Sequence, residues 1–168
     1  MKPEIREYQA SDRESFIRLS VEWIEEHFSI ESEDRAQLES LVEHSDQGTQ
    51  LFVAELDGVV IGCGALVQPH YDPADGRKWL EIVKMTIDRD HRGRGIGSRI
   101  LKTLITSARE QAADAIWLET NDALQPAIQL YKRHGFKALS RDQFWPTEYA
   151  RCNVQMVFDL VESSTESL

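Results

Sequence analysis

A short run in the middle of the chain interleaves arginine with glycine: Arg92-Gly93-Arg94-Gly95-Ile96-Gly97-Ser98. Glycine has no Cβ atom, so backbone N–H groups in such a run can approach a ligand closely. From residue 96 onward, apolar side chains recur at spacings of three and four and predict an amphipathic helix. The N-terminus of a helix carries about half a positive charge. A glycine-rich turn that opens a helix is therefore typical of a phosphate-binding site.

Basic residues concentrate around this turn. Residues 84–102 contain six Lys and Arg against two Asp, a local charge of +4, although the whole chain has a net charge of -10. Because the local field governs the capture of anions, a basic island in an acidic protein favours a polyphosphate ligand. The acidic remainder argues against a nucleic acid as the main partner, since DNA or RNA binding needs a basic face.

Two other phosphate-binding motifs fit the run poorly. A Walker loop is excluded because the chain contains no GxxxxGK[ST] sequence. A dinucleotide-binding fingerprint needs G-x-G-x-x-G in an early strand–helix unit, whereas the glycines here stand at 93, 95 and 97, after two predicted helices and a hairpin. We therefore expect neither a P-loop nucleotide nor a nicotinamide dinucleotide.

Hydrophobic periodicity predicts the strands that position the turn. Asp57-Gly58, between two runs rich in β-branched residues, is typical of an antiparallel hairpin. Residues 79–87 are apolar on both faces of a strand except at Glu81, Lys84 and Thr86. This pattern predicts a central strand that leads into the turn. Further strands are predicted at residues 5–8, 51–56, 59–67, 115–120, 136–139 and 150–160.

Four helices are expected between these strands. The first follows an N-cap at Ser11-Asp12 and carries Phe16, Leu19, Trp23 and Ile24 on one face. The second, more polar, covers residues 32–42, and a loop with Gly48 as its breaker follows at 44–49. The third begins at the glycine turn. The fourth begins near Pro126 and ends at Gly135.

The order of these elements predicts an α/β domain with a mixed sheet, antiparallel in its first part, and helices on both faces. The length of 168 residues suits a single domain, and the polar residues 162–168 are expected to fray. Cys63 and Cys152 lack a CxxC spacing, so we expect two ordinary thiols and no metal site. The longest apolar run, residues 59–67, is too short for a membrane span, and the charged N-terminus lacks a secretory signal, so we expect a cytoplasmic protein.

The Arg92–Gly97 run resembles the R/Q-x-x-G-x-G/A turn of the GNAT N-acetyltransferase superfamily. The strand before it, Leu80-Glu81-Ile82-Val83-Lys84-Met85, is similar to the E-[LI]-x-K-M strand of many bacterial members. Downstream, Leu118-Glu119-Thr120-Asn121, Ala127, Leu130-Tyr131 and Gly135-Phe136 resemble the superfamily's L-x-T-N...A-x-x-L-Y-x-x-x-G-F segment. The resemblance covers roughly residues 50–160.

This resemblance implies a GNAT fold with a six- to seven-stranded sheet whose central strands splay apart, and acetyl-CoA as co-substrate. Residues 1–161 would form one domain, with variable acceptor-side helices in 1–48 and a cofactor core in 49–161. Members of such families are monomers or homodimers. The resemblance assigns cofactor binding to Met85, Thr86, Ile87, Arg92, Gly93, Arg94, Gly95, Ile96, Gly97, Ser98, Asn121 and Tyr131.

Acetyl transfer from a thioester to an amine requires a neutral nucleophile, stabilisation of an oxyanion and a proton for the leaving thiolate. At pH 7, deprotonating an alkyl ammonium costs roughly 4.6 kcal/mol, so a general base is useful. Glu81 is the one carboxylate of the central strand, where burial would raise its pKa. It also lies where the histone-acetyltransferase branch of the superfamily has its catalytic glutamate. The alternative is a structural carboxylate paired with Lys84 or an arginine.

Tyr131 is, by resemblance, the general acid that protonates the thiolate, and the alternative is an aromatic packing residue. Asn121 resembles a residue that hydrogen-bonds the cofactor or a bound water, and a turn role is compatible with that. The oxyanion is expected to meet a backbone N–H near Met85 or Thr86. His91 is either a phosphate contact or a solvated loop residue. His70, Asp72 and Asp75 match no metal-ligand motif.

The sequence says less about the acceptor than about the cofactor. Trp23, Phe28 and Tyr149 either line an acceptor pocket or belong to the core. Acidic residues crowd the first two helices and favour a cationic amine, although such a stripe is often only a solvated face. They are Glu22, Glu25, Glu26, Glu31, Glu33 and Asp34. The leading hypothesis is an acetyl-CoA-dependent N-acetyltransferase that uses direct attack by a primary amine. The alternative is an acyl-CoA-binding module that senses or regulates without turnover.

Overall fold

Seven strands form one mixed sheet in the order β1-β2-β3-β4-β5-β7-β6. The computed structural model describes residues 2–43 and 48–161. The strands are β1 (Glu4–Glu7), β2 (Gln50–Leu56), β3 (Val59–Val67), β4 (Trp79–Ile87), β5 (Ala115–Thr120), β6 (Lys137–Ala138) and β7 (Val154–Asp159). The helices are α1 (Arg13–His27), α2 (Ser32–Glu43), α3 (Ile96–Glu110) and α4 (Gln125–Arg133). The mixed α/β fold expected from the sequence is confirmed.

The first half of the sheet is antiparallel and the second half is mixed. Strands β1 to β4 pair antiparallel in sequence order, and β2 and β3 meet at the Asp57-Gly58 turn as expected. Strand β4 then runs parallel to β5, which pairs antiparallel with β7. The β4–β5 ladder joins residues 79–81 to residues 115–117 and ends there, before either strand does. The central strands therefore splay apart, as the resemblance implied.

Helices cover both faces of the sheet. Consecutive residues of the central strands are buried, and successive side chains point to opposite faces. On one face, Phe16 and Leu19 of α1 and Leu38 of α2 join a core with residues of β2 and β3. On the other, the apolar stripe of α3 packs against Leu80 and Ile82 of β4 and the inward residues of β5 and β7. Glu81 and Val83 therefore point to the α1–α2 face, and their neighbours Leu80 and Ile82 point to the α3–α4 face.

Some predicted boundaries are wrong, and the predicted N-cap residue, Asp12, is at its expected position without the capping hydrogen bond. Helix α1 begins at Arg13, but the Asp12 carboxylate makes no cap hydrogen bond to it. Asp12 instead accepts hydrogen bonds from Arg6 and from the backbone N–H of Gln9, because Arg6 on β1 offers a charged partner. The final strands are shorter than expected, residues 137–138 and 154–159. The predicted loop at 44–49 and the predicted frayed tail at 162–168 lie partly or wholly outside the described residues.

A buried ion cluster ties α2 to the chain just before β7. Asp34 is fully buried and accepts hydrogen bonds from Arg151 at 2.5 and 2.9 Å. The Lys84 Nζ atom lies 3.8 Å from the same carboxylate, and its side chain is 8% exposed. Burial alone would raise the pKa of Asp34, but the hydrogen bonds from Arg151 and from the Glu31 backbone outweigh it and hold that pKa below its usual value. Within residues 2–43 and 48–161, no helix has both the length and the apolar character of a membrane span.

We expect Asp34→Asn to lower the free energy of unfolding by about 3 kcal/mol, because it leaves buried Lys84 without its counter-charge and Arg151 with the partly exposed Glu31 alone. Urea unfolding at pH 7 measures the change. Since the folded state lowers the pKa of Asp34, the wild-type advantage is present above the unfolded carboxyl pKa and is lost as the pH falls through the folded value. Glu33→Gln, at the exposed neighbouring position, is the matched control and should change stability little. An equal loss in both variants would contradict this account.

Candidate active site

The gap between β4 and β5 opens into a cavity of about 580 Å³. Its wall comes from the end of α1, Gln37 of α2, β4, the glycine turn, the start of α3, β5, α4 and the chain before β7. Thr86 of β4 and Leu118 to Thr120 of β5 lie on either side of the opening. The cavity therefore runs through the sheet plane and connects the α1–α2 face with the α3–α4 face.

The glycine turn forms one end of this cavity. Gly93 and Gly95 have φ angles of +76° and +79°, and beyond each glycine and its two chain neighbours no described atom lies within 4 Å of where a Cβ atom would be. Gly95 precedes the first residue of α3, so the first-turn N–H groups of that helix have no intrahelical partner. The turn is thus an open cradle of backbone donors at a helix N-terminus, which suits a phosphate group.

The two arginines of the turn differ in their surroundings. Arg92 donates two hydrogen bonds to the Glu26 carboxylate of α1, at 2.9 and 2.8 Å, and one to the Ile87 carbonyl at 3.1 Å. These bonds lower the pKa of Glu26 to about 2. Arg94 is exposed, and no hydrogen bond or ion pair joins its side chain to residues 2–43 or 48–161. Arg94 is thus free to meet an anion in solution, although Arg92 lines the cavity and Arg94 does not.

Gly97 and Ser98 connect α3 to α4. A Cβ atom on Gly97 would lie 3.3 Å from the Leu130 Cδ2 atom, so the missing side chain makes room for α4. The Ser98 hydroxyl lies 2.7 Å from His134 Nε2. His91, elsewhere in the turn, lies 2.7 Å from the Asp88 carboxylate. Ile96, Gly97 and Ser98 all line the cavity, but the contacts of the last two hold the helices together.

Strand β4 contains a bulge where it borders the cavity. Residues 83–86 of β4 lie opposite residues 63–65 of β3, so β4 has one extra residue there. Lys84 adopts a φ of +54°, a left-handed conformation that is uncommon for a residue with a side chain. Met85, Thr86 and Ile87 follow the bulge, beyond the last residue that pairs with β5, and all three line the cavity. This stretch can offer backbone groups to a ligand.

Tyr131 lines the cavity from the α3–α4 face. Its side chain is 8% exposed, and burial raises its pKa to about 12, so the phenol stays protonated. Both polar atoms of the Asn121 side chain make hydrogen bonds to described residues. Its Nδ2 donates to the Arg151 carbonyl at 2.5 Å, and its Oδ1 accepts from the Ala123 N–H at 2.8 Å. The structure therefore gives Asn121 a turn role at the cavity wall.

Glu81 is buried and is the last residue of β4 that pairs with β5. Its Oε1 atom lies 2.7 Å from His70 Nδ1 and accepts from the His70 backbone N–H at 3.1 Å. The His70 Nε2 atom lies 2.6 Å from the Pro146 carbonyl, so both ring nitrogens face oxygen acceptors and the imidazolium form donates at both. The hydrogen bond to Glu81 raises the pKa of His70 to about 9. The partner of Glu81 is thus His70, and not Lys84 or an arginine.

Glu119 is a carboxyl that the sequence analysis left without a role. Its Oε2 atom is the one buried side-chain nitrogen or oxygen in residues 2–43 and 48–161 that has no hydrogen-bond partner. Burial raises its pKa, and a hydrogen bond from Thr147 opposes that rise. Glu119 lies on β5, two residues after Trp117, and lines the cavity. The sequence offered one signal for Glu119: it is the one acidic residue of β5, the strand that neighbours the strand of Glu81.

The α1 end of the cavity is aromatic. Trp23, Phe28 and Tyr149 all line it, and the Arg151 guanidinium lies 4.7 Å from the Tyr149 ring centre. Of the six acidic residues weighed as a signal for a cationic acceptor, four pair with arginines. Glu26 pairs with Arg92 and Arg89, Glu31 and Asp34 pair with Arg151, and Glu22 pairs with Arg18. These pairs weaken the argument that the acidic helices select a cationic amine.

The loop residues weighed as metal ligands have other contacts. His70 binds Glu81, Asp72 accepts from the Ala74 N–H, and Asp75 accepts from the Trp79 indole. In the part of the chain that the structure describes, no cluster of three or more His, Cys, Asp or Glu residues is arranged to hold a metal ion. Cys63 and Cys152 are both free thiols.

Residues 9–136 match the family model described as "Acetyltransferase (GNAT) family". This match covers most of the chain, including the glycine turn, the bulge and both cavity strands, so the chain belongs to the acetyltransferase (GNAT) family. A solved acetyltransferase of the GNAT family from Staphylococcus aureus Mu50 superposes with a TM-score of 0.81 and 23% identity, covering 94% of this chain and 99% of that one.

Curated relatives share more sequence over a shorter stretch. Mouse N-acetyltransferase 8B is 37% identical over 101 residues, which are 58% of this chain and 43% of that protein. The chain matches about two fifths of the length of such relatives. A putative acetyltransferase from Salmonella typhimurium, solved with its cofactor acetyl-CoA, shares the fold with a TM-score of 0.72 and 20% identity over 95% of each chain.

We expect His70→Gln to remove a stabilising contribution that depends on pH. Because the folded state raises the pKa of His70 from 6.5 to about 9, the wild-type advantage is full below pH 6.5 and disappears as the pH rises through 9. Thermal unfolding of both proteins from pH 6 to pH 10 measures it. His27→Gln, at an exposed position on α1, is the control. A difference in melting temperature that stays constant up to pH 10 would rule out the charged His70–Glu81 pair.

Proposed function

We propose that this protein transfers an acetyl group from acetyl-CoA to a primary amine by direct attack of the amine. The observation that carries the proposal is the open glycine turn at the start of α3, which faces a gap between two central strands. Membership of the acetyltransferase family, relatives named N-acetyltransferases and a structural neighbour solved with acetyl-CoA support it.

The shape and donors of the cavity fit this co-substrate. The pyrophosphate would lie on the N–H groups around Gly93 and Gly95, near the exposed Arg94. The pantetheine arm is an extended chain with two amide groups, which suits the unpaired edges of β4 and β5 beyond residues 81 and 117. Acetyl-CoA supplies an activated acetyl group in a thioester. We propose that the N–H groups after the β4 bulge, at Met85 or Thr86, polarise its carbonyl.

Backbone and side-chain groups would share the contacts to the cofactor. Contact through backbone groups is proposed for Met85, Thr86, Ile87, Gly93, Gly95, Ile96, Gly97 and Ser98. Side-chain contact is proposed for Arg94 and, once displaced from Glu26, for Arg92. Asn121 would act by holding the end of β5 in place. Residues 1–48 would form the acceptor side of the domain and residues 49–161 its cofactor core, with Trp23, Phe28 and Tyr149 as the acceptor wall.

Tyr131 is our candidate for the group that protonates the leaving thiolate. Its phenol lines the cavity on the α3–α4 face, where α3 and the glycine turn would hold the cofactor. A pKa of about 12 keeps the proton on the phenol until negative charge develops on the sulfur. Such a phenol is a weak acid against a free thiolate, so the transfer must accompany cleavage of the C–S bond.

We expect Gly95→Asp to weaken acetyl-CoA binding by about 100-fold or more, because it places a side chain and a negative charge in the phosphate cradle. Titration calorimetry with acetyl-CoA and with acetyl-dephospho-CoA measures the affinity and the share that the 3′-phosphate contributes. Gly58→Asp is a matched control, since Gly58 has the same backbone conformation, with a φ of +80°, in open space at the β2–β3 turn. Wild-type protein that binds neither compound would refute the proposed function. Binding without transfer to any amine would favour an acyl-CoA sensor.

We expect Tyr131→Phe to lower kcat by about 100-fold and to change the acetyl-CoA dissociation constant little, because the ring is kept and only the proton donor is lost. Steady-state rates with an accepted amine, together with calorimetry, separate the two effects. Tyr71→Phe, at an exposed tyrosine, is the control. An unchanged kcat would assign Tyr131 to packing.

A further inference from the structure

We propose that the acceptor is an α-amino acid with an apolar side chain, and that Lys84 and Arg151 bind its free carboxylate. This inference rests on the proposed acetyl transfer and names the class of acceptor for it. It differs from the cationic amine that the acidic residues of α1 and α2 favour. The difference arises because a ligand meets the charges on the cavity wall and not the charge of the helices as a whole.

The buried ion cluster presents its cations to the cavity. Lys84 and Arg151 line the α1 end, whereas their partners Asp34 and Glu31 are not part of the cavity wall. Asp34 is fully buried, and Glu31 is partly exposed. A ligand at this end of the cavity therefore meets the two cations and not the carboxylates that balance them.

Both cations retain unused hydrogen-bond donors. The Lys84 Nζ atom lies 3.8 Å from the Asp34 carboxylate and makes no hydrogen bond to residues 2–43 or 48–161. Arg151 uses both N–H groups of Nη1 and one of Nη2 on Glu31 and Asp34, so one on Nη2 and the one on Nε remain. The Lys84 side chain is 8% exposed, and a buried ammonium without a hydrogen bond is costly. A bound carboxylate would supply the missing acceptors.

The bulge of β4 brings the Lys84 side chain to this end of the cavity. Side chains alternate along a strand, so in a regular strand Lys84 would follow Leu80 and Ile82 to the α3–α4 face. Instead, its Nζ atom lies beside Asp34 of α2 and 5.9 Å from the centre of the Tyr149 ring. Its left-handed backbone, with a φ of +54°, is a strained conformation of the kind that clusters at functional sites.

The cavity wall also holds one acceptor oxygen without a partner. The Oε2 atom of Glu119 is buried and accepts no hydrogen bond within the described residues. Burial raises the pKa of Glu119, and Arg151 is close enough to oppose that rise. An α-amino acid carries an ammonium and a carboxylate on one carbon atom, and the unpartnered oxygen and the unused cationic donors would meet one charge each. Glu81, the other carboxyl of the wall, is already paired with His70.

Aromatic rings next to the two cations indicate the side chain of the amino acid. Trp23, Phe28 and Tyr149 line the same end, and the Arg151 guanidinium lies 4.7 Å from the Tyr149 ring centre and 5.8 Å from that of Phe28. The Tyr149 hydroxyl donates to Gln37 at 2.6 Å and is therefore occupied. A side chain on the α-carbon would contact mainly rings, which favours an apolar or aromatic group.

The test first compares acceptors that differ only in the charge of the carboxyl group. Phenylalanine, leucine and methionine are each compared with the corresponding amide, with acetyl-CoA saturating and release of coenzyme A as the readout. We expect kcat/KM for the best amino acid to exceed that for its amide by about 100-fold, because a buried charge pair is lost. Without carboxylate recognition the amide would be the faster acceptor, since no nearby carboxylate stabilises its ammonium form. β-Phenylethylamine and the dipeptide phenylalanylalanine are included as amines whose carboxylate is absent or displaced.

Two substitutions of Lys84 then test the site itself. Lys84→Met removes the ammonium and keeps an unbranched side chain, and Lys84→Gly removes it while relieving the left-handed backbone. Both should lower the ratio of kcat/KM for the amino acid to that for the amide by about 10-fold or more, and leave acetyl-CoA affinity unchanged. A loss of folded protein would reduce both rates alike and leave the ratio as it was. Lys132→Met, at an exposed position of α4, is the matched control.

The proposal is overturned if the amides, β-phenylethylamine or the dipeptide are acetylated as fast as the amino acids, or if the ratio is unchanged in the Lys84 variants. Calorimetric titration of each amino acid and amide into protein saturated with coenzyme A gives a readout that needs no turnover. The amino acids should bind more tightly than the amides, and equal binding or none at all would also overturn the proposal. Binding of the amino acids without any acetyl transfer would support the carboxylate site and contradict the proposed function.

Discussion

The structure depends most on the point at which two neighbouring parallel strands stop pairing. Strands β4 and β5 share a ladder over residues 79–81 and 115–117 and then diverge. Backbone N–H and C=O groups that leave a ladder inside a protein need other partners, so a gap of this kind at the centre of a sheet is costly unless a ligand or water fills it. The cavity, the bulge of β4 and the two candidate proton-transfer residues all border this gap.

Packing on both sides keeps the gap open. On the α3–α4 face, the apolar stripe of α3 fixes β4 against β3, and Leu130 of α4 fits the space left by Gly97. On the α1–α2 face, buried Asp34 joins Lys84 at the bulge to Arg151 before β7. Burial lowers the pKa of Lys84, and Asp34 opposes that fall. The cluster thus ties β4 and the chain before β7 to α2.

Electrostatics divide the cavity into two ends. The glycine turn presents helix N–H groups and an exposed arginine to one end, whereas the other is lined by aromatic rings and by arginine already paired with carboxylates. Arg92 belongs to both ends, because its bonds to Glu26 join the turn to α1. A phosphate on the turn would compete with Glu26 for this guanidinium, so the position of α1 and the binding of an anion are linked through one side chain.

The sequence by itself determined the features that depend on neighbouring residues. The hairpin at Asp57-Gly58, the helix that starts after Gly95, the central strand and the family resemblance all follow from short-range spacing and turn chemistry, and the structure contains each of them. Even the splay of β4 from β5 came from the resemblance and not from any rule of spacing. Local patterns therefore fixed the class of fold and pointed to the glycine turn as the place for a phosphate.

Tertiary structure decided which charged groups are paired, because those contacts join residues far apart in the chain. Arg92 meets Glu26 across 66 positions and Arg151 meets Asp34 across 117, and neither pairing has a local signature. The same holds for Glu81, whose partner His70 lies on a loop that could have folded elsewhere. Sequence identified Glu81 as the carboxylate of an apolar strand. The hydrogen-bond pattern of the folded chain left Glu119 with the unpartnered oxygen, since only the packed structure determines which polar atoms are satisfied.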